Sequence, residues 1–156
     1  MNPAGQTKPP VFTRSFATRL DDKRRLTIPA GWRFEGEAGS SYLALFNPLH
    51  AAIIVYPPDM QDKLMEASRR ADVVGQPELY DVIQELAEFA EPVTCDKAGR
   101  IVLPAEMLKV AGIDREVVLK GAFSNFLIRS ATPPATDRES EKSKRLQRGL
   151  AALGFA

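Results

Sequence analysis

The segment Leu20-Asp21-Asp22-Lys23-Arg24-Arg25-Leu26-Thr27-Ile28-Pro29-Ala30 returns later as Cys95-Asp96-Lys97-Ala98-Gly99-Arg100-Ile101-Val102-Leu103-Pro104-Ala105. Asp96 follows Asp21, Arg100 follows Arg25 and Pro104 follows Pro29, each by 75 positions. A constant offset marks duplication of one structural unit. In each copy an Asp opens a polar turn, an Arg leaves it, and a short apolar or β-branched run ends at Pro. An Asp that opens a turn accepts hydrogen bonds from backbone amides further on. Pro ends a strand and suits the first position of a helix.

Working outward, each copy reads as strand, turn, strand, short helix, strand, turn, strand. The first copy has strands over Arg14–Leu20, with Phe16 the main apolar anchor, and Arg25–Ile28. A short helix from Ala30 to about Phe34 follows, then strands Tyr42–Phe46 and Ile53–Tyr56. The second has strands Val93–Cys95 and Arg100–Leu103, a helix from Pro104 to near Ala111 with Gly112 as its left-handed C′ residue, and strands Val117–Lys120 and Phe126–Arg129. Between them, Pro57-Pro58-Asp59 opens a helix to about Arg70, and Pro77 opens another whose Leu79, Val82, Ile83, Leu86 and Phe89 share one face. The expected organisation is a disordered arm (1–11), a first module (12–57), a helical connector (58–91), a second module (92–130), and a linker with a C-terminal segment (131–156). Within the last, Arg138–Leu153 reads equally as a helix or a frayed tail. Modules of roughly 60 residues have little core to spare, and strands this short do not make a stable sheet alone. Pairing between the modules, or interlocking with partners, is therefore expected to complete the core.

The 156 residues are 44% hydrophobic, ordinary for a soluble globular protein. No apolar run of about 18 residues offers a membrane span, and Met1–Pro10 has no apolar stretch of a secretory signal. The single cysteine, Cys95, excludes an internal disulfide, in keeping with a reducing cytosol. Net charge is only +1, but it is unevenly spread. Residues 12–33 hold six basic and two acidic groups, residues 59–96 three and ten, and residues 97–129 six and three. Two cationic modules thus flank an acidic connector, and cationic surfaces attract polyanions. Charge runs also occur simply as solvated faces.

The chemistry concentrates in the turns. Arginine's planar fork donates two parallel hydrogen bonds, which suits phosphate and guanine edges. Arg25 and Arg100 leave their turns oriented by Asp21 and Asp96. Lys23, Arg24 and Lys97 at the turn tips add cations for phosphate contact. The competing interpretation is a local Asp–Arg ion pair that stabilises each turn, of little worth if exposed. Duplication of the whole context favours nucleic-acid contact.

The paired Asp21-x-x-x-Arg25 and Asp96-x-x-x-Arg100, each followed by an apolar pair and Pro, resemble the MraZ family. So do the Tyr56-Pro57 step into the helices and the stretch from Ala111 to Gly121. The resemblance spans Arg14 to Arg129. It implies a mixed α+β fold in which two AbrB-like swapped-hairpin modules interlock into a small β-barrel with connecting helices. It also implies a bacterial transcriptional regulator that binds short promoter repeats of double-stranded DNA, controls the division and cell-wall cluster, and assembles as a homo-oligomeric ring. The implied DNA-binding residues are Asp21, Arg25, Asp96 and Arg100. The implied location is the cytoplasm, at the nucleoid.

The chain departs from the family pattern in three places. Arg24 stands where Gly is usual, the segment Leu79–Glu91 is acidic where arginines are usual, and Arg129 replaces a Trp that often ends the last strand. If the first turn keeps the geometry of the second, Arg24 carries about 1 kcal/mol of backbone strain. The first turn is expected to be the stronger phosphate contact and the second the more regular.

No other chemistry is visible. His50 and Cys95 supply no metal-ligand spacing, and His50 reads as a turn residue. No nucleophile stands beside a base, and no Gly-rich phosphate loop occurs. No cofactor, small-molecule substrate, membrane partner or enzyme activity is expected. Trp32 and Phe34 read as core or subunit interface. The rival from another class is an oligomeric protein-interaction scaffold of the same fold without DNA binding.

Overall fold

The computed structural model describes residues 10–34, 36–47, 50–70, 75, 77–132, 144 and 148–154. The strands are β1 (Ser15–Arg19), β2 (Arg25–Thr27), β3 (Ser41–Asn47), β4 (Ala52–Tyr56), β5 (Ala90–Thr94), β6 (Arg100–Val102), β7 (Glu116–Gly121) and β8 (Phe126–Ser130). A 3-10 turn covers Ala30–Trp32, and the helices are α1 (Pro58–Arg70), α2 (Pro77–Glu88) and α3 (Ala105–Val110). The fold is mixed α+β with antiparallel sheets. The first short helix is briefer than expected. Gly31 lies inside it, and Arg33 turns extended at ψ 149°, so the chain leaves helical geometry after one turn. The N-terminal arm through Pro9 and most of Arg138–Leu153 lie outside the described residues, although residues 148–152 are helical.

The two copies exchange strands. β1 pairs with β7 of the second copy, Ser15 opposite Lys120 and Arg19 opposite Glu116. Reciprocally, β5 pairs with β3 of the first, Ser41 opposite Thr94 and Leu45 opposite Ala90. Hairpins β3–β4 and β7–β8 meet through β4 and β8, where Ile53 faces Ile128. The resulting order, β1-β7-β8-β4-β3-β5, reads the same from either end once each strand is exchanged for its duplicate. An internal twofold therefore runs between β4 and β8. The order ends at β1 and β5, and among the described residues β2 and β6 pair only with each other, as a separate ribbon.

The core follows the same symmetry. Leu20, Leu26 and Ile28 are buried, and so are their counterparts Cys95, Ile101 and Leu103. Burial raises the Cys95 thiol to about 11, with Glu37 adding to the shift and the Arg33 guanidinium opposing it, so it behaves as a small apolar side chain. One cluster lacks a duplicate. Trp32 packs edge-on against Phe12 and Phe16, lies tilted on Phe126, and donates its indole N–H to the Thr13 carbonyl at 2.7 Å. Gly121 is fixed by this packing, since a Cβ there would strike the Phe12 carbonyl. Trp32 is thus a core residue.

In contrast, α1 buries no residue, and Met65, Val82 and Phe89 on the connector stand exposed. Gln61 ties α1 to the sheet through the Ser41 carbonyl.

Candidate nucleic-acid interface

The two turns are built by the same bonds. In the first, Asp21 Oδ1 accepts the amides of Lys23 (2.9 Å) and Arg25 (2.8 Å), and Oδ2 accepts Arg25 Nε at 2.5 Å. In the second, Asp96 Oδ1 accepts the amides of Ala98 and Arg100, each at 2.9 Å, and Oδ2 accepts Arg100 Nε at 2.9 Å. Each Asp amide also donates to its Arg carbonyl across the turn, at 3.2 Å for Arg25 and 2.9 Å for Arg100. Three donors to one carboxylate favour its charged form. Both Asp carboxyls are held below the usual range, first of all by the Arg backbone amide, against partial desolvation and with further help from the guanidinium.

The fourth turn position is left-handed in both copies, with φ 60° at Arg24 and 77° at Gly99. The turn geometry survives the replacement of Gly by Arg, and both turns make the same set of bonds. Their environments differ instead. Arg24 donates its Nε to the Leu103 carbonyl at 3.1 Å, reaching across to the other copy. At the second turn the reaching group is Arg33, whose guanidinium lies 2.5 Å from where a Gly99 Cβ would stand. Arg33 is held there by Glu37, a buried carboxylate whose hydrogen bond raises the arginine's pKa further. Gly99 is therefore required twice, by its backbone and by the side chain lying over it.

The turns open at opposite ends of the β2–β6 ribbon. Arg25 faces Val102, Leu26 faces Ile101 and Thr27 faces Arg100. The Ile28 amide donates to Gly99 O (2.8 Å) and the Leu103 amide to Arg24 O (3.0 Å), so each turn is sewn to the other copy. Because strand residues alternate in direction, burial of Leu26 and Ile101 sends Arg25 and Arg100 to the same outer face. They are diagonal neighbours, roughly 7–8 Å apart. Their side chains remain about one-third exposed, at 29% and 34%. Each guanidinium spends its Nε on the turn's own Asp, and among the described residues its two terminal amino groups have no partner.

The structure thus brings Asp21, Arg25, Asp96 and Arg100 onto one short ribbon. Lys23, Arg24 and Lys97 stand exposed on the turns around it. Asp22 is turned aside by an ion pair with Arg115, just before β7. Sequence reasoning missed Arg33 and Glu37 as supports of the second turn. It also left aside Thr27 and Val102, both exposed on the ribbon's outer face, although their alternation with Leu26 and Ile101 was a usable signal.

Comparison with known proteins places the chain in a family. A family model described as "MraZ protein, putative antitoxin-like" matches residues 86–133. The chain is 34% identical over 112 residues to the transcriptional regulator MraZ of Frankia alni, covering 72% of this chain and 76% of the relative. It is 33% identical over 118 residues to that of Desulfitobacterium hafniense, covering 76% and 80%. The match to the Syntrophomonas wolfei protein of that name is 32% over 147 residues, covering 93% of this chain and all of the relative. The chain belongs to the MraZ family.

Proposed function

We propose that this protein is a DNA-binding transcriptional regulator that engages short promoter repeats through its paired Asp-x-x-x-Arg turns. The observation that carries this reading is the common outward face of Arg25 and Arg100, each with its terminal amino groups open. An antiparallel ribbon is narrow enough for the major groove of double-stranded DNA, where Arg25 and Arg100 meet guanine edges or phosphate. Lys23, Arg24 and Lys97 meet flanking phosphates and make affinity fall with salt. Asp21 and Asp96 position the arginines. The names of the relatives support regulation of transcription as the outcome, and such a protein works in the cytoplasm, at the nucleoid.

The exchanged strands support an AbrB-like swapped-hairpin arrangement of two modules, 12–57 and 92–130, forming a small barrel-like body. Residues 58–91 are then the connector, with residues 1–11 an arm and 131–156 a linker and C-terminal segment. Exposed Met65, Val82 and Phe89 on that connector support assembly into a homo-oligomer, a ring in this reading. Several modest contacts made together on consecutive repeats would add up to strong binding.

The test is titration of duplex DNA from upstream of this protein's own gene, at several salt concentrations. The protein should bind more tightly as salt falls, and Arg25→Ala and Arg100→Ala should each weaken binding about tenfold or more while leaving the fold intact, as bidentate base contacts are worth roughly 1–3 kcal/mol. A double variant that binds like the parent at matched salt would refute the assignment. The acidic, partly apolar connector favours a second reading, a protein-interaction scaffold, which predicts no salt-dependent affinity for any duplex.

A further inference from the structure

Beside the two arginines on the ribbon's outer face stand two residues that the turn motifs do not include. Thr27 and Val102 occupy duplicate positions, 75 apart. Each stands directly beside, on the neighbouring strand, an arginine of the other copy: Thr27 beside Arg100 and Val102 beside Arg25. Both point outward, and Val102 is 46% exposed. No side chain of the chain's core needs them there, since Leu26 and Ile101 fill the inward positions. The ribbon's backbone is twofold symmetric, but its outer face is not. One strand offers two methyl groups, and the other a methyl and a hydroxyl. The asymmetry continues outward, where Lys23 and Arg24 have Ala98 and Gly99 as counterparts.

In a major groove, the C5-methyl of thymine is the one apolar feature a base pair presents. A valine opposite Arg25 is suited to it, and threonine is suited to a polar edge as well. We propose that Val102 is a specificity-determining residue that packs on a thymine methyl next to the bases met by Arg25, and that Thr27 reads the opposite half of the same element through its hydroxyl. The element read by one protomer is then non-palindromic although the ribbon that reads it is twofold in backbone. This rests on the DNA-binding reading above.

The test uses duplexes from upstream of the gene in which single thymines are replaced by uracil, which removes only the methyl. The unsubstituted protein should lose about fourfold in affinity at one thymine of each repeat, the value of one buried methyl. Val102→Ala should bind the unmodified duplex less well and should be indifferent to uracil at that position. Val102→Ser serves equally, and circular dichroism checks that either variant is folded. A Val102 variant that binds with the same uracil penalty as the parent overturns the inference, as does a parent protein insensitive to uracil at every position. Failure of the parent to bind any duplex overturns the DNA-binding reading itself, and this inference with it.

Discussion

The backbone amide of Leu103 donates a 3.0 Å hydrogen bond to the carbonyl of Arg24, so the left-handed corner of the first turn is tied to the strand end of the second copy. The same corner is tied a second time by Arg24 Nε to the Leu103 carbonyl. A strained residue is retained here with two bonds holding it. Replacing Arg24 by Gly should relieve about 1 kcal/mol of left-handed strain but remove a side-chain hydrogen bond worth about 1 kcal/mol. Stability by urea unfolding should therefore change by less than about 1 kcal/mol. DNA affinity should fall, and the slope of log affinity against log salt should shrink by about one. An unchanged slope would show that Arg24 touches no phosphate.

At the second turn the constraint is steric. Gly99→Ala places a methyl where the Arg33 guanidinium lies, at a φ of 77°. The left-handed conformation alone costs about 1–2 kcal/mol, and displacement of Arg33 adds to it. Arg33→Ala in the same chain should remove the second cost, so the double variant should be more stable than the sum of the single changes predicts. Additive thermal-unfolding shifts would show that Arg33 does not rest on the turn in solution.

The pH dependence follows from Asp21 and Asp96. Both carboxyls have folded-state pKa values below those of the unfolded chain. Their contribution is therefore fully present above the ordinary carboxylate value of about 3.9 and is lost as pH falls through the depressed folded values. Stability and turn geometry should be flat with respect to these two groups from neutral pH to about pH 5 and decline below that. Asp21→Asn together with Asp96→Asn should flatten that acid limb in denaturation curves. An acid limb identical to the parent's would assign it to other groups.

Leu26 and Ile101 face each other in the ribbon and are both fully buried. Truncating either to Ala should cost about 2–5 kcal/mol. Because they share a contact, the double truncation should cost less or more than the sum by at least 0.5 kcal/mol or so. Equal and additive losses would argue against their packing together.

Strand exchange has its own consequence for cutting the chain. β1 has β7 as its strand neighbour and β5 has β3, so a half containing residues 1–73 or 74–156 lacks the partner for its first strand. Neither half should run as a folded monomer, and mixing them should restore a one-to-one complex by light scattering. A monomeric, cooperatively folded half would contradict the pairing.

Much of this was legible because duplication tests itself. The 75-residue offset that aligned Asp21 with Asp96 also aligns buried Leu26 with Ile101 and Ile28 with Leu103. Local signals placed α1 well, since Pro58 and Asp59 suit a first turn and Arg69 and Arg70 a last one. They overextended the first short helix, where Ala30 and Trp32 flank a glycine. Pairing between the modules was expected on grounds of core size, but the partner of each strand could not be read from a period of two. The support of Gly99 by Arg33 was invisible, because the two residues belong to different copies and Leu108 stands at Arg33's duplicate position. Sequence spacing carries no trace of a contact that only folding creates.

The palindromic strand order describes an architecture that two separate chains could build as a homodimer. Joining them through α1 and α2 makes its assembly a first-order event, because the second half is always present at the effective concentration set by its tether. Dilution therefore cannot dissociate the ribbon that carries Arg25 and Arg100, and its melting temperature should not depend on protein concentration at the level of the single chain.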